Sequence, residues 1–287
     1  MILGNSKFLG VPSDSINLEG IKRFMADDEN AKRIHFATTH SHALRKETAG
    51  TPFGWFNIPF DKTVGPMLKK ELGSGFKLFL NNTTGKIYRR VDTEREFLEI
   101  QSFMDKFKNI VFLRDCLDLS ISLSMNMSDS KQRTELGELE YLVKYRADEI
   151  DYQQKISDII QIFQETLEKL PYFKEVDYVC VIPSSHPFMK DIVRGLKGFV
   201  FEDISDNVSW EKSSEIKNAE TLDEKLEALL KSNLKVSEAV DLKGKNVMLV
   251  DDLYNSGLTM QYVAMRLKEL GVSRVFGVTL VKSLSNK

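Results

Sequence analysis

The run Val247-Met248-Leu249-Val250-Asp251-Asp252-Leu253-Tyr254-Asn255-Ser256-Gly257-Leu258-Thr259 constrains this chain more than any other stretch. Four apolar residues end in two adjacent carboxylates. A tight Gly-containing turn then opens the helical pattern Thr259 to Leu270, which Gly271 closes. With the apolar strand pattern Val275 to Val281 behind it, this is a βαβ unit of a parallel sheet. Ligands of open α/β sheets bind at the carboxyl ends of the strands, where Asp251 and Asp252 fall. Gly257 lets backbone come close to a ligand. The N–H groups of Asn255, Ser256, Gly257, Leu258 and Thr259, two hydroxyls and the positive end of a helix dipole would converge on one point, an anion site suited to phosphate. Two acids beside a phosphate cradle suit a sugar phosphate, its hydroxyls donating to the carboxylates. Taken singly, either acid could simply end a strand or cap a helix. A nucleotide P-loop, G-x-x-x-x-G-K-[ST], does not occur, and Gly73-Ser74-Gly75-Phe76-Lys77 does not replace it.

The alternation of short apolar strands and amphipathic helices extends upstream. Tyr152 to Leu170 places Ile156, Ile159, Ile160, Phe163, Leu167 and Leu170 on one helical face. Val179 to Ile182 is a buried strand stopped by Pro183, Phe199 to Phe201 a weaker strand, and Asp223 to Leu234 a helix. Before this lies a mixed region. Residues 76–80 and 86–91 flank a Gly85 turn as a hairpin, Asp92 opens a helix carrying Phe97, Ile100, Phe103, Met104 and Phe107, and residues 109–113 form a short buried strand. The polar bridge 128–133 is a loop near the domain boundary. The fold class is therefore α/β, a parallel sheet flanked by helices with an additional N-terminal α+β domain; the expected division is 1–115 and 116–287.

At 287 residues the chain is long enough for a full domain and a smaller one, and 42% hydrophobic residues exclude global disorder. A net charge of -2 removes any need for a polyanionic partner while leaving local basic patches open. Cys116 and Cys180 are too few for a disulfide framework or a four-cysteine zinc site, and Cys180 reads as a buried, inert thiol. No stretch reaches the roughly 20 apolar residues of a membrane span, and the first fifteen lack a secretory pattern, so the expectation is a cytoplasmic protein without membrane contact. His35, His40 and His42 form the one histidine cluster; with no further ligand motif, local hydrogen bonding is its expected role.

The run Val247 to Thr259 resembles the phosphoribosyl-pyrophosphate (PRPP) signature of type I phosphoribosyltransferases, with Asn255 where that family has Thr or Ser. A second segment, Val179-Cys180-Val181-Ile182-Pro183-Ser184-Ser185-His186-Pro187, is a strand and a proline-bounded polar turn; alone it would read as a surface turn. It is similar to the family's pyrophosphate loop, most closely in the competence protein F (ComF)-like branch. Glu140 to Asp148, with Lys144-Tyr145-Arg146, resembles a further ComF-like segment, and Arg194-Gly195 a following Arg-Gly. The resemblance covers about residues 116 to 287.

The resemblance implies a phosphoribosyltransferase of nucleotide metabolism, a pentosyl-transferring glycosyltransferase. Asp251 and Asp252 would be catalytic, meeting the ribose and possible ligands of Mg2+, the expected cofactor. Asn255, Ser256, Gly257, Leu258 and Thr259 would hold the 5-phosphate, and Pro183, Ser184, Ser185 and His186 the Mg2+-pyrophosphate. Lys144 and Arg194 are candidate phosphate contacts. A covering loop is expected, with Asp206 to Lys217 the candidate. The acceptor is not legible; Phe53, Trp55 and Phe56 could stack on a planar ring, although such clusters are more often core. Two alternatives stand beside transfer. One is a non-catalytic PRPP or nucleotide sensor related to DNA uptake, with a nucleic acid or protein partner and Lys86, Arg89, Arg90 and Arg95 as its basic patch. The other is a bacterial defence or toxin effector. A homo-oligomer is the expected assembly.

Overall fold

The structure is a computed structural model and describes residues 16–27, 30–48, 52–83, 85–183, 185–211, 216 and 219–284. The first half runs α1 (Leu18–Ala26), β1 (Arg33–His35), β2 (Leu44–Lys46), β3 (Gly54–Ile58), α2 (Val64–Leu72), β4 (Phe79–Leu80), β5 (Ile87–Val91), α3 (Glu94–Lys106), β6 (Val111–Leu113) and β7 (Leu119–Met125). The second half continues with α4 (Glu135–Tyr145), α5 (Tyr152–Lys169), β8 (Tyr178–Val181), α6 (Phe188–Gly195), β9 (Glu202–Asp203), β10 (Val208–Glu211), α7 (Leu222–Leu230), β11 (Asn233–Val236), β12 (Asn246–Tyr254), α8 (Leu258–Glu269) and β13 (Arg274–Lys282). Among the described residues no helix is long and apolar enough to cross a membrane.

The central sheet has seven strands in the order β1-β6-β7-β13-β12-β8-β9. From β7 to β9 all neighbours are parallel, while β6 and β1 add an antiparallel edge. The fold is thus the expected helix-flanked, mostly parallel α/β sheet. Its central strands are apolar on both sides because both faces are covered. Met248 and Val250 of β12 pack with Ile159 and Phe163 of α5 and Met189 and Ile192 of α6. Val247 and Leu249 face the other way, against Val263 and Leu267 of α8 and Leu226 of α7. Each such side chain removed from water contributes about 1.5–3 kcal/mol, so this two-sided burial holds β12 in the interior of the sheet. The expected division at 115/116 falls between β6 and β7, which pair within this one sheet. A separate four-stranded antiparallel sheet, β2-β3-β5-β4, lies wholly within the first 115 residues.

Several expectations from the sequence need correction. The weak strand at 199–201 is displaced to β9, with Val200 99% exposed and only the flanking phenylalanines packed inward. The helix expected over 223–234 stops at Leu230. A capping box of Thr221 and Glu224 starts it, while Ser232 Oγ bonds back to the Ala228 carbonyl and the chain turns into β11. Part of the expected covering segment 206–217 is not loose. Val208–Glu211 is β10, paired antiparallel with β11, while residues 212–215 and 217 lie outside the described residues. The sequence reading passed over β7, although Leu119 to Met125 alternates apolar residues with serine at a strand's period; Ser120 and Ser122 are buried as well.

Candidate functional site

The strand order creates a crevice. The chain leaves β8 outward toward β9 and leaves β12 outward toward β13, so the connections diverge between β8 and β12. Such a switch point opens a cleft at the carboxyl ends of the two strands. The β8 ladder ends with Val181 opposite Val250, and the Ile182 amide donates to the Val250 carbonyl at 2.8 Å. Beyond it the chains separate into the two segments singled out in the sequence, 183–187 and 251–259.

β12 does not end at Val250 as the apolar run suggests. It stays paired with β13 through Tyr254, with Asp251 opposite Thr279 and Tyr254 opposite Lys282. The acids therefore sit within a strand on the β13 side and past the ladder's end on the β8 side. Asp251 Oδ1 accepts from the Asp252 amide at 3.0 Å, using a group that β8 no longer reaches. Burial, then the charge of Asp252, pushes the Asp251 carboxyl up to about 7, against a smaller opposing effect of Ser185. Asp252 is 8% exposed and accepts from Lys144 Nζ of α4 at 2.6 Å, while the same Nζ lies 3.3 Å from Glu140. Burial raises the Glu140 carboxyl above its usual range. The lysine loses by burial and gains more from its two acidic neighbours, so its pKa rises.

The turn after β12 is built around Gly257, which has φ 79° and forms the N-cap of α8. A Cβ there would fall on the Tyr254 hydroxyl, so both the left-handed backbone and the close approach require glycine. No side chain caps α8, which leaves its positive end turned toward the loop. Ser256 Oγ accepts from the Leu258 amide at 3.4 Å. Around the turn lies a cavity of about 80 Å³ lined by Asp251, Asn255, Ser256, Gly257, Thr259 and Thr279, among others. The Asn255 side chain is turned to Ser283, whose Oγ donates to it at 3.0 Å, and its carbonyl accepts from Lys282 Nζ at 3.0 Å.

On the β8 side, Pro183, Ser185 and His186 are half-buried, and Ser184 lies outside the described residues. His186 Nδ1 is a buried atom with no hydrogen-bond partner, while buried Ser185 Oγ faces the Asp251 carboxyl. Buried polar atoms are rarely left unpaired, and the His186 ring stands where a ligand would satisfy it. Burial, then Lys144, lowers the His186 pKa, which ties this loop electrostatically to the Lys144–Asp252 pair. Thus Asp251, Asp252, Lys144, Ser185 and His186 come together. Arg194 does not join them. It sits at the far end of α6 from the loop, roughly 9 Å along the axis, and holds Asp206 at 2.9 Å.

The sequence reading missed Lys282, Tyr254, Thr279 and Glu140. Lys282 is 2% exposed, and burial, with Arg33 nearby, lowers its pKa to about 7. Tyr254 donates to Asp115 at 2.9 Å, and Lys62 reaches the Asp115 carbonyl at 2.9 Å, so the first half of the chain braces the loop from below. Only the Glu140-x-x-x-Lys144 spacing carried a local signal; the others are brought in by sheet register. Among the described residues no three His, Cys, Asp or Glu side chains group to hold a metal ion. One or two carboxylates with substrate phosphates are, however, a donor set that suits Mg2+. The histidine cluster is engaged locally, with His35 Nδ1 2.8 Å from Thr38 Oγ1 and the His35 amide 3.4 Å from His40 Nδ1.

A mostly parallel sheet with acids and a helix N-terminus at its switch point defines the class of open, helix-flanked α/β proteins. More particularly, the phosphoribosyl transferase domain family model matches residues 147–287, a little under half of the chain. Similar solved structures include a hypoxanthine-guanine phosphoribosyltransferase of Bacillus anthracis, 21% identical over 44% of this chain and 68% of that one, with a TM-score of 0.31. A purine phosphoribosyltransferase of Pyrococcus horikoshii is 18% identical over 44% and 72%, with a TM-score of 0.28. A Neisseria gonorrhoeae protein with bound ppGpp is 16% identical over 46% and 69%, with a TM-score of 0.31. No curated protein matches the chain.

Proposed function

We propose that the crevice between β8 and β12 binds PRPP and that the protein transfers its phosphoribosyl group to an acceptor, releasing pyrophosphate. The observation that carries this reading is the cavity at the 255–259 turn, flanked by Asp251 and by the uncapped end of α8. In this reading Ser256, Gly257, Leu258 and Thr259 receive the 5-phosphate through amides and hydroxyls, with the Asn255 amide beside them. Asp251 and Asp252 accept from the ribose hydroxyls. Pro183, Ser184, Ser185 and His186 form the pyrophosphate side, where the unpartnered His186 Nδ1 gains a hydrogen bond.

Bound Mg2+ would neutralise charge on the departing pyrophosphate. The chain's own part is positioning and electrostatics. Breaking the C1–oxygen bond leaves positive charge on the sugar ring, and the carboxylates beside the ribose stabilise it. Lys144 holds Asp252 in place from α4 and offers a cation to the pyrophosphate. No covalent nucleophile is required. A place in the ComF-like branch is part of the same proposal.

Calorimetry with PRPP and Mg2+ tests the reading. Wild-type protein binds only with the metal present, and Asp251→Asn and Asp252→Asn each weaken binding about tenfold or more. Variants that bind like wild type would remove the assignment. Pyrophosphate release across a panel of nucleobases and amines then identifies the acceptor; PRPP binding without release under any acceptor marks a sensor.

A further inference from the structure

The four-stranded sheet of the first half carries a face that the PRPP reading does not use. Its inner side, with Phe56 and Ile58 of β3 and Ile87 and Val91 of β5, is buried in the core. Strand alternation and register put Arg45, Trp55, Asn57, Tyr88, Arg90 and Phe79 together on the opposite side. Three of these are aromatic and stand in a row. The Trp55 and Tyr88 ring centroids are 6.1 Å apart, and those of Tyr88 and Phe79 5.9 Å. None of the three is fully buried, and Phe79 is 47% exposed. Trp55 has Arg45 opposite it on one side and Arg90 on the other.

A cavity of about 530 Å³ opens at the edge of this face and shares Arg45 and Asn57 with it. Lys86, His40 and His42 add donors to the lining, and none of the lining residues is an acid. The His35 amide points at His40 Nδ1, which fixes the ring proton on Nε2, a further donor. Arg45 gives its Nε to the His42 carbonyl and forms no ion pair among the described residues. The basic patch read from sequence overlaps this surface through Lys86 and Arg90, but Arg89 is paired with Glu96, Arg90 with Asp92 and Arg95 with Glu99.

We infer that this sheet face, with its adjoining cavity, binds a single-stranded nucleic acid. Exposed rings on a four-stranded antiparallel sheet offer stacking platforms for two or three unpaired bases. Arg45, Lys86 and the histidine donors suit the phosphates between and beyond them. The match is one of charge and shape: flat π faces for bases, cations at the edge, and no carboxylate in the cavity to repel the backbone. A duplex presents no base faces to such a surface.

The test is fluorescence anisotropy with the full chain and a labelled mixed-sequence single-stranded RNA oligonucleotide, repeated with single-stranded DNA. The expected result is binding at about 50 mM salt that weakens steeply toward about 200 mM. Phe79→Ala and Arg45→Gln, both at exposed positions, each weaken it at least about fivefold. A duplex of the same sequence competes poorly. No binding of either strand at about 50 mM salt overturns the inference, as do variants equal to wild type or a duplex that competes equally well. PRPP takes no part in the measurement, so its outcome is independent of the reading of the β8–β12 crevice.

Discussion

Lys144 Nζ and Asp252 Oδ2, 108 residues apart in sequence, are joined at 2.6 Å across the gap between α4 and the end of β12. The pair ties a helix to the strand that carries the candidate site, and Glu140 completes it from one helical turn earlier. Replacing the lysine leaves two acids facing each other with little solvent. Lys144→Met should therefore lower stability by about 2–4 kcal/mol, since loss of one partner strands a largely buried charge. Urea denaturation measures this. Adding Asp252→Asn to the same chain should recover much of the loss; a double variant less stable than Lys144→Met would contradict the pairing.

The turn that follows depends on its geometry. Gly257→Ala puts a side chain onto the Tyr254 hydroxyl and into a left-handed backbone, at a cost of about 1–3 kcal/mol. The same substitution should abolish measurable PRPP binding, because the cavity at the turn is lined by these residues. Tyr254→Phe keeps the ring and removes its bond to Asp115, a carboxylate 3% exposed, for about 1–3 kcal/mol. Thermal melts of the two variants, with calorimetry on each, separate them. Tyr254→Phe should retain weakened binding, and equal stability of that variant and wild type would show the Asp115 bond to be inconsequential.

Asp251 should leave a signature in pH. Its carboxyl titrates near 7 in the folded chain against an ordinary value of 3.8. A raised acid favours the folded state most when protonated, so this group's contribution is present below about pH 4 and is lost as pH rises to about 7. His35 and His40 act in the opposite sense. Burial lowers each to about 4 from 6.5, so their contribution is present above about pH 6.5 and is lost as pH falls toward about 4. Comparing Asp251→Asn with wild type cancels the histidines: the variant's relative stability should increase between about pH 5 and about pH 8. Affinity for Mg2+-PRPP should rise through the same range as the carboxylate forms. A pH-independent difference would place the ionisation elsewhere.

Local patterns made much of the parallel sheet readable. The Ile156 to Leu167 stripe became the buried face of α5, and the apolar runs near 179, 247 and 275 became β8, β12 and β13. Gly257 was legible for the same reason, since a φ of 79° is a demand on a single residue. What sequence periodicity misjudged lay where partners decide. β12 runs on through its two acids because β13 continues beside it, and the segment at 208–211 is strand because β11 lies opposite. The serines of β7 looked polar and are buried, Ser122 against Thr279 of the neighbouring strand.

The linear chain by itself determined that a strand, two carboxylates and a glycine turn would meet a helix N-terminus, because hydrogen bonding and φ preferences act over a few neighbours. The tertiary structure decided that Lys144 would hold Asp252, that Asp115 would brace Tyr254, and that Trp55, Tyr88 and Phe79 would share a solvent-facing row. Those relationships join residues far apart along the backbone. Only the closing of the chain on its core, which sets strand order and register together, brings them within contact distance.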